Sequence, residues 1–258
     1  MEHLQGQVFK GSDYEFPVIG STENLKNPRL SDMEAFYQKY YVANNMALIL
    51  CGKFNEKDVL PLLEKTFGRI HNGPIPQRQP INLADFSPEK TIKVKIPFPL
   101  IKVSALLFRG PTPRNHDYTA LQIAMRLLSN SNESGLIDSL VSHHSIMYGM
   151  AASEQISMMR EVGLIGLAAV PNLPFGSKRK AEQLLWQQIN KLKEGDFSTE
   201  SFEAAKTEYQ KMQEQQLENL QTRITLMTNC YLNGMNWNDY LHQISMLTTL
   251  QKNDVVAA

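Results

Sequence analysis

The first residues that could do chemistry are Glu2 and His3. A histidine directly after a glutamate is how the motif H-x-x-E-H ends. In that motif two imidazoles one helical turn apart grip a zinc ion, and the glutamate serves as general base. The spacing is demanding, because i, i+4 puts both rings on one face of a helix. The chain has six histidines, His3, His71, His116, His143, His144 and His242, and no two of them are four apart. Glu2-His3 is therefore at most half of a metal site, whose other half would precede Met1. His143 and His144 would sit about 100° apart on a helix and cannot share a metal as an i, i+4 pair does. At a helix C-terminus they would instead suit the negative end of the dipole. Cys51 and Cys230 are the only cysteines, too few for a disulfide framework or a cysteine-based zinc site. The motifs G-x-S-x-G, G-x-x-x-x-G-K-[ST] and G-x-G-x-x-G are all absent from the sequence.

Composition narrows the classes further. At 258 residues the chain is long for one domain and short for two complete ones. Lys+Arg and Asp+Glu balance at 26 each, so no global field draws nucleic acid or an anionic membrane. Lys178-Arg179-Lys180 is a short cluster that reads as a solvated helix start. No apolar run reaches the roughly 18 residues that would span a bilayer. The low cysteine count fits cytoplasm and bacterial periplasm equally.

The elements that would position any site follow from local signals. Ser31 and Glu34 form a predicted capping box, with Met33, Phe36, Tyr37 and Tyr40 at helical spacing behind it. Asn44-Asn45 breaks that helix. MALILCG (46–52) reads as a strand buried on both faces. Asn55 caps the next helix, Gly68 ends it, and Val59, Leu60, Leu62, Leu63 and Phe67 form its expected buried side. Four prolines within 71–89 favour extended, exposed backbone, which reads as an interdomain linker.

A second unit begins with KTIKVKIPF (90–98) and IKVSALLFRG (101–110), read as neighbouring strands. A helix follows from Asn115 or Asp117 to Leu128, then a shorter one at 134–144. Segments 146–159 and 161–172 form an expected antiparallel strand pair. Helices are then predicted over 178–193, over a long stretch from 198 to 233, over 237–247, and from near Lys252. The order β-β-α-α-β-β-α-α predicts an α+β fold: an antiparallel or mixed sheet with helices packed on one face. LSDMEAF (30–36) and LQKNDVVA (250–257) echo each other weakly, as cut points of a repeat of about 220 residues would.

Taken together, four stretches resemble the pitrilysin/insulinase family of zinc peptidases and its non-peptidase relatives. The first is Gly20-Ser-Thr-Glu23-Asn-Leu25 with LSDMEAFYQKYYVANNMALILCGKFNEKDVLPLLEKTFG, similar to that family's G-x-x-E-x-L box, F-x-x-x-Y-Y helix end and N-N-M strand. The second is RNHDYTALQIAMRLLS, and the third is Tyr148 at a strand position where the family has a tyrosine. The fourth is FSTESFEAAKTEYQKMQEQ, similar to a T-x-x-E-x-x-x-A-K helix. The resemblance implies a piece of a larger protein built from pitrilysin-like domains. Residues 1–70 would be the C-terminal part of one domain, 71–89 a proline-rich linker, and 90–258 a second domain lacking its final strand and helix. The orphan strand 46–52 would then dock on the sheet of the second domain, in its own chain or in a neighbour.

The resemblance also decides the opening pair. The family places a pair of helices and a third zinc ligand between its metal helix and the G-x-x-E-x-L box. Here the box arrives at Gly20, seventeen residues after His3, which leaves no room for them. No catalytic or metal-binding residue is therefore expected in this chain. Zinc is expected in the full-length parent, upstream. The one substrate-binding candidate is Tyr148. Family members that act on peptides hold the substrate backbone with an Arg and a Tyr, and Val141 stands where that Arg would be, which weakens the match to a clamp. The expected function is an internal, by itself non-catalytic segment of a zinc-dependent metallopeptidase, helping to enclose peptides. The alternative is part of a core-subunit-like or inactive-partner relative. The expected partners are the remaining domains of the parent, its peptide substrate and further copies of the chain.

Overall fold

The computed structural model describes residues 6, 8–16, 19–20, 22–26, 28–77, 101–152 and 160–258. Glu2-His3, the predicted strand 90–98 and the segment 153–159 lie outside them. The chain divides into two compact units, Met1–Val94 and Lys95–Ala258.

Unit one carries helices α1 (Thr22–Lys26), α2 (Leu30–Tyr40) and α3 (Glu56–Phe67). The α3 boundaries follow the sequence signals. Asn55 is the N-cap, its side-chain oxygen accepting from the Lys57 amide at 3.1 Å, and Gly68 closes the last turn. The capping box at Ser31 does not form. Helix α2 starts two residues earlier, with Arg29 as the cap residue and no side-chain cap bond. Once Leu30 is helical, Ser31 lies inside the first turn, where its hydroxyl no longer sits in the extended cap conformation.

Asn44 and Asn45 do more than stop a helix. Asn44 donates to the Gly73 carbonyl at 2.7 Å and accepts from the Gly73 amide at 3.1 Å, while Asn45 donates to the Tyr40 carbonyl at 2.9 Å. The Ala43 amide donates to the His71 carbonyl at 2.9 Å. Val42, 1% exposed, sits under Gly73, where an added Cβ would lie 2.6 Å from Val42 Cγ1.

The expected strand 46–52 is absent: among the described residues it joins no ladder. Met46, Leu48 and Leu50 are 43–51% exposed. An isolated extended segment has no partner for its amides and carbonyls, and apolar content alone does not make a strand. The expected buried side of α3 is likewise open, with no buried residue on that helix. Among the described residues of unit one, the buried apolar side chains are Phe9 and Val42.

Unit two holds the core. Strands β1 (Ser104–Gly110), β2 (Tyr148–Ala152) and β3 (Gly163–Val170) make an antiparallel sheet in the order β1-β3-β2. Leu106 stands opposite Leu167, and Tyr148 opposite Val170. Six of the unit's helices are α4 (Tyr118–Leu128), α5 (Leu136–Ser142), α6 (Lys178–Glu194), α7 (Thr199–Glu218), α8 (Leu220–Leu232) and α9 (Trp237–Met246); a short α10 (Lys252–Ala257) follows. Ile165, Leu167 and Ala169 alternate along β3 into one core with Ile123, Leu128, Ile137, Leu185 and Phe202 from the helices. This is an α+β fold with a small antiparallel sheet.

The single helical stretch expected from 198 to 233 is two helices. Asn219 breaks it in extended backbone and caps α8, accepting from the Thr222 amide at 2.9 Å. The Arg223 guanidinium reaches back to the Leu217 carbonyl and satisfies an orphan acceptor of α7. Both cysteines are free. No helix among the described residues is long and apolar enough to cross a membrane.

Candidate functional site

The sequence-derived candidate, Tyr148, opens β2, an outer strand of the described sheet. Strand alternation sends Tyr148 and Met150 outward, at 55% and 38% exposure, and Gly149 inward. Gly149 is there by necessity: a Cβ would come within 2.4 Å of Ile137 Cγ2 and 2.9 Å of Ile146 Cδ1. The glycine thus lets β2 lie close over α5, which fixes where the exposed tyrosine stands. Val141 is half-buried at the end of α5 and packs against the core. It has no group that could hold a substrate carbonyl.

The histidine pair is a helix terminus. His143 is the C-cap residue of α5, and its backbone amide bonds the Ser139 carbonyl. His144 adopts a positive φ of 54°, and its carbonyl accepts from Asn172 at 2.7 Å. Lys178-Arg179-Lys180 is the first turn of α6, capped by Ser177. Among the described residues no group of three His, Cys, Asp or Glu could hold a metal ion. With no i, i+4 histidine pair in the sequence either, the described residues do not fit a zinc centre.

Unit two also contains a cavity of about 280 Å³, walled by α4, α7, α8 and α9. Its lining holds Tyr118, Gln213, Gln216, Asn229, Asn233, Tyr240 and Gln243 beside Met212, Leu226, Ile244 and Leu247, with Cys230 among them, and no charged side chain. Tyr240 donates to Gln213 Oε1 at 2.7 Å, and Gln243 donates to the Pro113 carbonyl at 2.6 Å. Burial pushes the Cys230 thiol up to about 11. Burial is also the main cause that raises the Tyr240 phenol above its ordinary range, with Cys230 and Tyr118 adding to it. Both groups are neutral at physiological pH, so the whole lining is uncharged.

Sequence reasoning missed this cavity, although one signal was present. Phe202, Ala205, Tyr209 and Gln213 fall at helical spacing on the buried side of α7. A glutamine ending an otherwise apolar stripe marks a polar group carried into the interior, where it must find a partner.

Comparison with known proteins bears on the fold and the family. A mitochondrial-processing peptidase subunit beta of Caenorhabditis elegans is 24% identical over 125 residues, which is 48% of this chain and 27% of that protein. A protease structure from Helicobacter pylori is similar at a TM-score of 0.78 with 18% identity, covering 95% of this chain and 59% of that one. A chain of complex III2 from Candida albicans is similar at a TM-score of 0.78 with 18% identity, covering 99% of this chain and 61% of that one. At such identities the two structures speak to the fold alone. The match to the curated relative spans about a quarter of that protein's length. The family model described as the peptidase M16 inactive domain matches residues 29–209, well over half of the sequence, so this chain belongs to the peptidase M16 family and carries its inactive domain.

Proposed function

We propose that this chain is a non-catalytic, peptide-contacting part of a larger zinc-dependent metallopeptidase of the M16 family, whose zinc centre lies outside residues 1–258. One observation carries the reading: β2 ends the described sheet with Tyr148 and Met150 exposed, in a chain whose described residues do not fit zinc. An outer strand offers backbone donors and acceptors to an extended peptide, and exposed side chains on alternate positions can grip it. Tyr148 would then contact substrate in the parent enzyme, without the arginine that would complete a clamp.

The domain assignment belongs to the same proposal. Residues 1–70 would be the end portion of one pitrilysin-like domain, 71–89 the linker, and 90–258 the following domain. The division of the chain into units 1–94 and 95–258 supports it. So does the apolar surface of unit one, where Met33, Phe36, Leu48, Leu62 and Phe67 are all about half exposed. The rest of that domain would cover them.

Two measurements test the reading. Metal analysis and a peptide-hydrolysis assay on this chain are expected to give no stoichiometric zinc and no cleavage. One zinc per chain, lost in His3→Ala, would overturn it. In the parent enzyme, Tyr148→Ala is expected to raise KM severalfold for a peptide substrate with kcat retained; an unchanged KM removes Tyr148 from the substrate path.

A second reading, a non-peptidase structural relative, is favoured by the similarity to a complex III chain over nearly the whole length. The parent sequence separates the two. An H-x-x-E-H with a downstream Glu supports the peptidase, and its absence supports the structural subunit.

A further inference from the structure

The sequence holds two Asn-Gly dipeptides, Asn72-Gly73 and Asn233-Gly234. Asparagine is chemically labile. It is most so before glycine, which has no Cβ to shield its amide nitrogen or restrict its backbone. In the reaction that nitrogen attacks the asparagine Cγ. The new N–Cγ bond closes a cyclic succinimide, the Cγ–Nδ2 bond breaks, and the side-chain nitrogen leaves as ammonia with the proton that the backbone nitrogen gives up. Water then opens the ring at either carbonyl, giving aspartate or isoaspartate. No oxidant or reductant takes part.

The fold imposes both glycines. A Cβ at Gly73 would lie 2.6 Å from Val42 Cγ1, and Gly234 sits at a left-handed φ of 65°. The two asparagines are held differently. Asn233 is 7% exposed and ends α8 in helical backbone, at φ −81° and ψ 0°. Its Nδ2 donates to the Asn229 carbonyl at 2.9 Å, and the Gly234 amide donates to the Tyr231 carbonyl at 3.0 Å. Ring closure there would have to break both bonds and move a buried side chain. Asn72 is exposed and belongs to no helix or strand. Its neighbour's amide is held by one side chain: the Gly73 N–H donates to Asn44 Oδ1 at 3.1 Å, and Asn44 Nδ2 donates to the Gly73 carbonyl at 2.7 Å. Both bonds are exposed, so they open far more readily than the buried contacts around Asn233.

From this we infer that Asn72 is a site of self-modification by deamidation, and that the Asn44 clamp on Gly73 sets its rate. While the clamp is closed, the attacking nitrogen faces Asn44 Oδ1 with its proton engaged. Each opening frees it to turn on Asn72. The change is one-way and alters the fold locally. The Ala43 amide holds the His71 carbonyl, and Asn44 holds Gly73. An isoaspartate at position 72 inserts an extra backbone carbon between those two points and adds a negative charge, so the bracket no longer spans the same distance.

The test follows the full chain in mildly alkaline buffer, by mass spectrometry of its peptides with chromatographic separation of aspartate from isoaspartate. In the folded chain, product is expected at Asn72 and not at Asn233. In denaturant both asparagines are expected to react, Asn72 about tenfold faster than when folded, the factor for opening two exposed hydrogen bonds. Asn44→Ala is expected to recover most of that factor in the folded chain, at Asn72 alone. Amide exchange at Gly73 is expected to rise in the same proportion, without a rise along α3, because exchange and deamidation need the same opening. An equal rise along α3 would assign the protection to folding of the whole unit and overturn the role of Asn44. A folded Asn44→Ala variant that deamidates at the parent's rate overturns it too. Equal reaction at Asn233 and Asn72 in the folded chain overturns the assignment of the site. So does the absence of product at Asn72 after prolonged incubation, when the denatured chain is fully converted. If Asn44→Ala does not fold, the ratio of Asn72 to Asn233 in the unaltered chain decides.

Discussion

Units one and two invert the usual link between motif and core. Unit one carries the densest local signals: the asparagine cap of α3, the glycine that ends it, and the paired asparagines before 46–52. Yet its buried apolar side chains among the described residues are Phe9 and Val42. Unit two carries weaker signals and more than twenty buried apolar side chains, clustered on one sheet face. Local chemistry shapes turns and caps without a core, because those bonds close within a few residues. A core needs distant segments to meet, and most stability comes from burying them.

The sharpest way to break this contrast is to truncate one large side chain in each unit. Phe202→Ala, at a site 2% exposed, is expected to destabilise unit two by about 3–5 kcal/mol in denaturant unfolding. Leu62→Ala in unit one, where Leu62 is 59% exposed, is expected to change stability by less than about 0.5 kcal/mol. Equal losses would mean that unit one has a core of its own.

Gly149→Ala is the next largest. A methyl group directed at Ile137 and Ile146 must push β2 off α5, at a cost of about 1–3 kcal/mol, and hydrogen exchange should rise along β2. An unchanged melting midpoint would show that β2 can shift freely. Asn44→Ala removes both bonds to Gly73. These bonds are exposed, so the loss is expected near 0.5–1 kcal/mol, read as faster amide exchange at Gly73 with no change in unit two.

The last expected effect is confined to high pH. The Cys230 thiol titrates near 11 in the folded chain and near the ordinary 8.5 when unfolded. Between those values the folded state binds more protons, so stability falls as pH rises through that window and is unaffected below it. Tyr240, raised in the same direction, adds to the fall from about pH 10 upward. Cys230→Val is expected to flatten the profile between pH 8.5 and 11, measured as unfolding midpoint against pH. A profile that matches the parent's would assign the slope to other groups.

The sequence was most readable where a residue acts on its near neighbours. Asn55 and Gly68 bound α3 as expected, and the pair 146–159 and 161–172 contains β2 and β3 in antiparallel register. It failed in three kinds of place. Ser31 looked like a cap, but the helix had already begun at Leu30. Asn219 was read through, although an asparagine can end one helix and cap the next. The run at 46–52 has the apolar content of a buried strand, but content does not supply a ladder. The candidate site divides in the same way. Tyr148 was singled out because a motif places it, while Gln213 and Asn233 were passed over because only four converging helices give them a common cavity.

By itself the sequence determined what this chain cannot do and the elements it is built from. Six histidines with no i, i+4 pair cannot form the helical zinc motif, whatever the fold, because the spacing is a property of the helix. The alternation of strands and amphipathic helices likewise determined an α+β fold for the second unit. The tertiary structure alone decided which apolar stretches are covered and which stand open. Leu167 and Leu48 are the same residue type, 2% and 51% exposed, because one has a sheet and helices against it and the other lies in a segment that joins no ladder among the described residues. It decided as well that Gln213 and Asn233 line the same cavity, since burial is settled by neighbours far away in the chain.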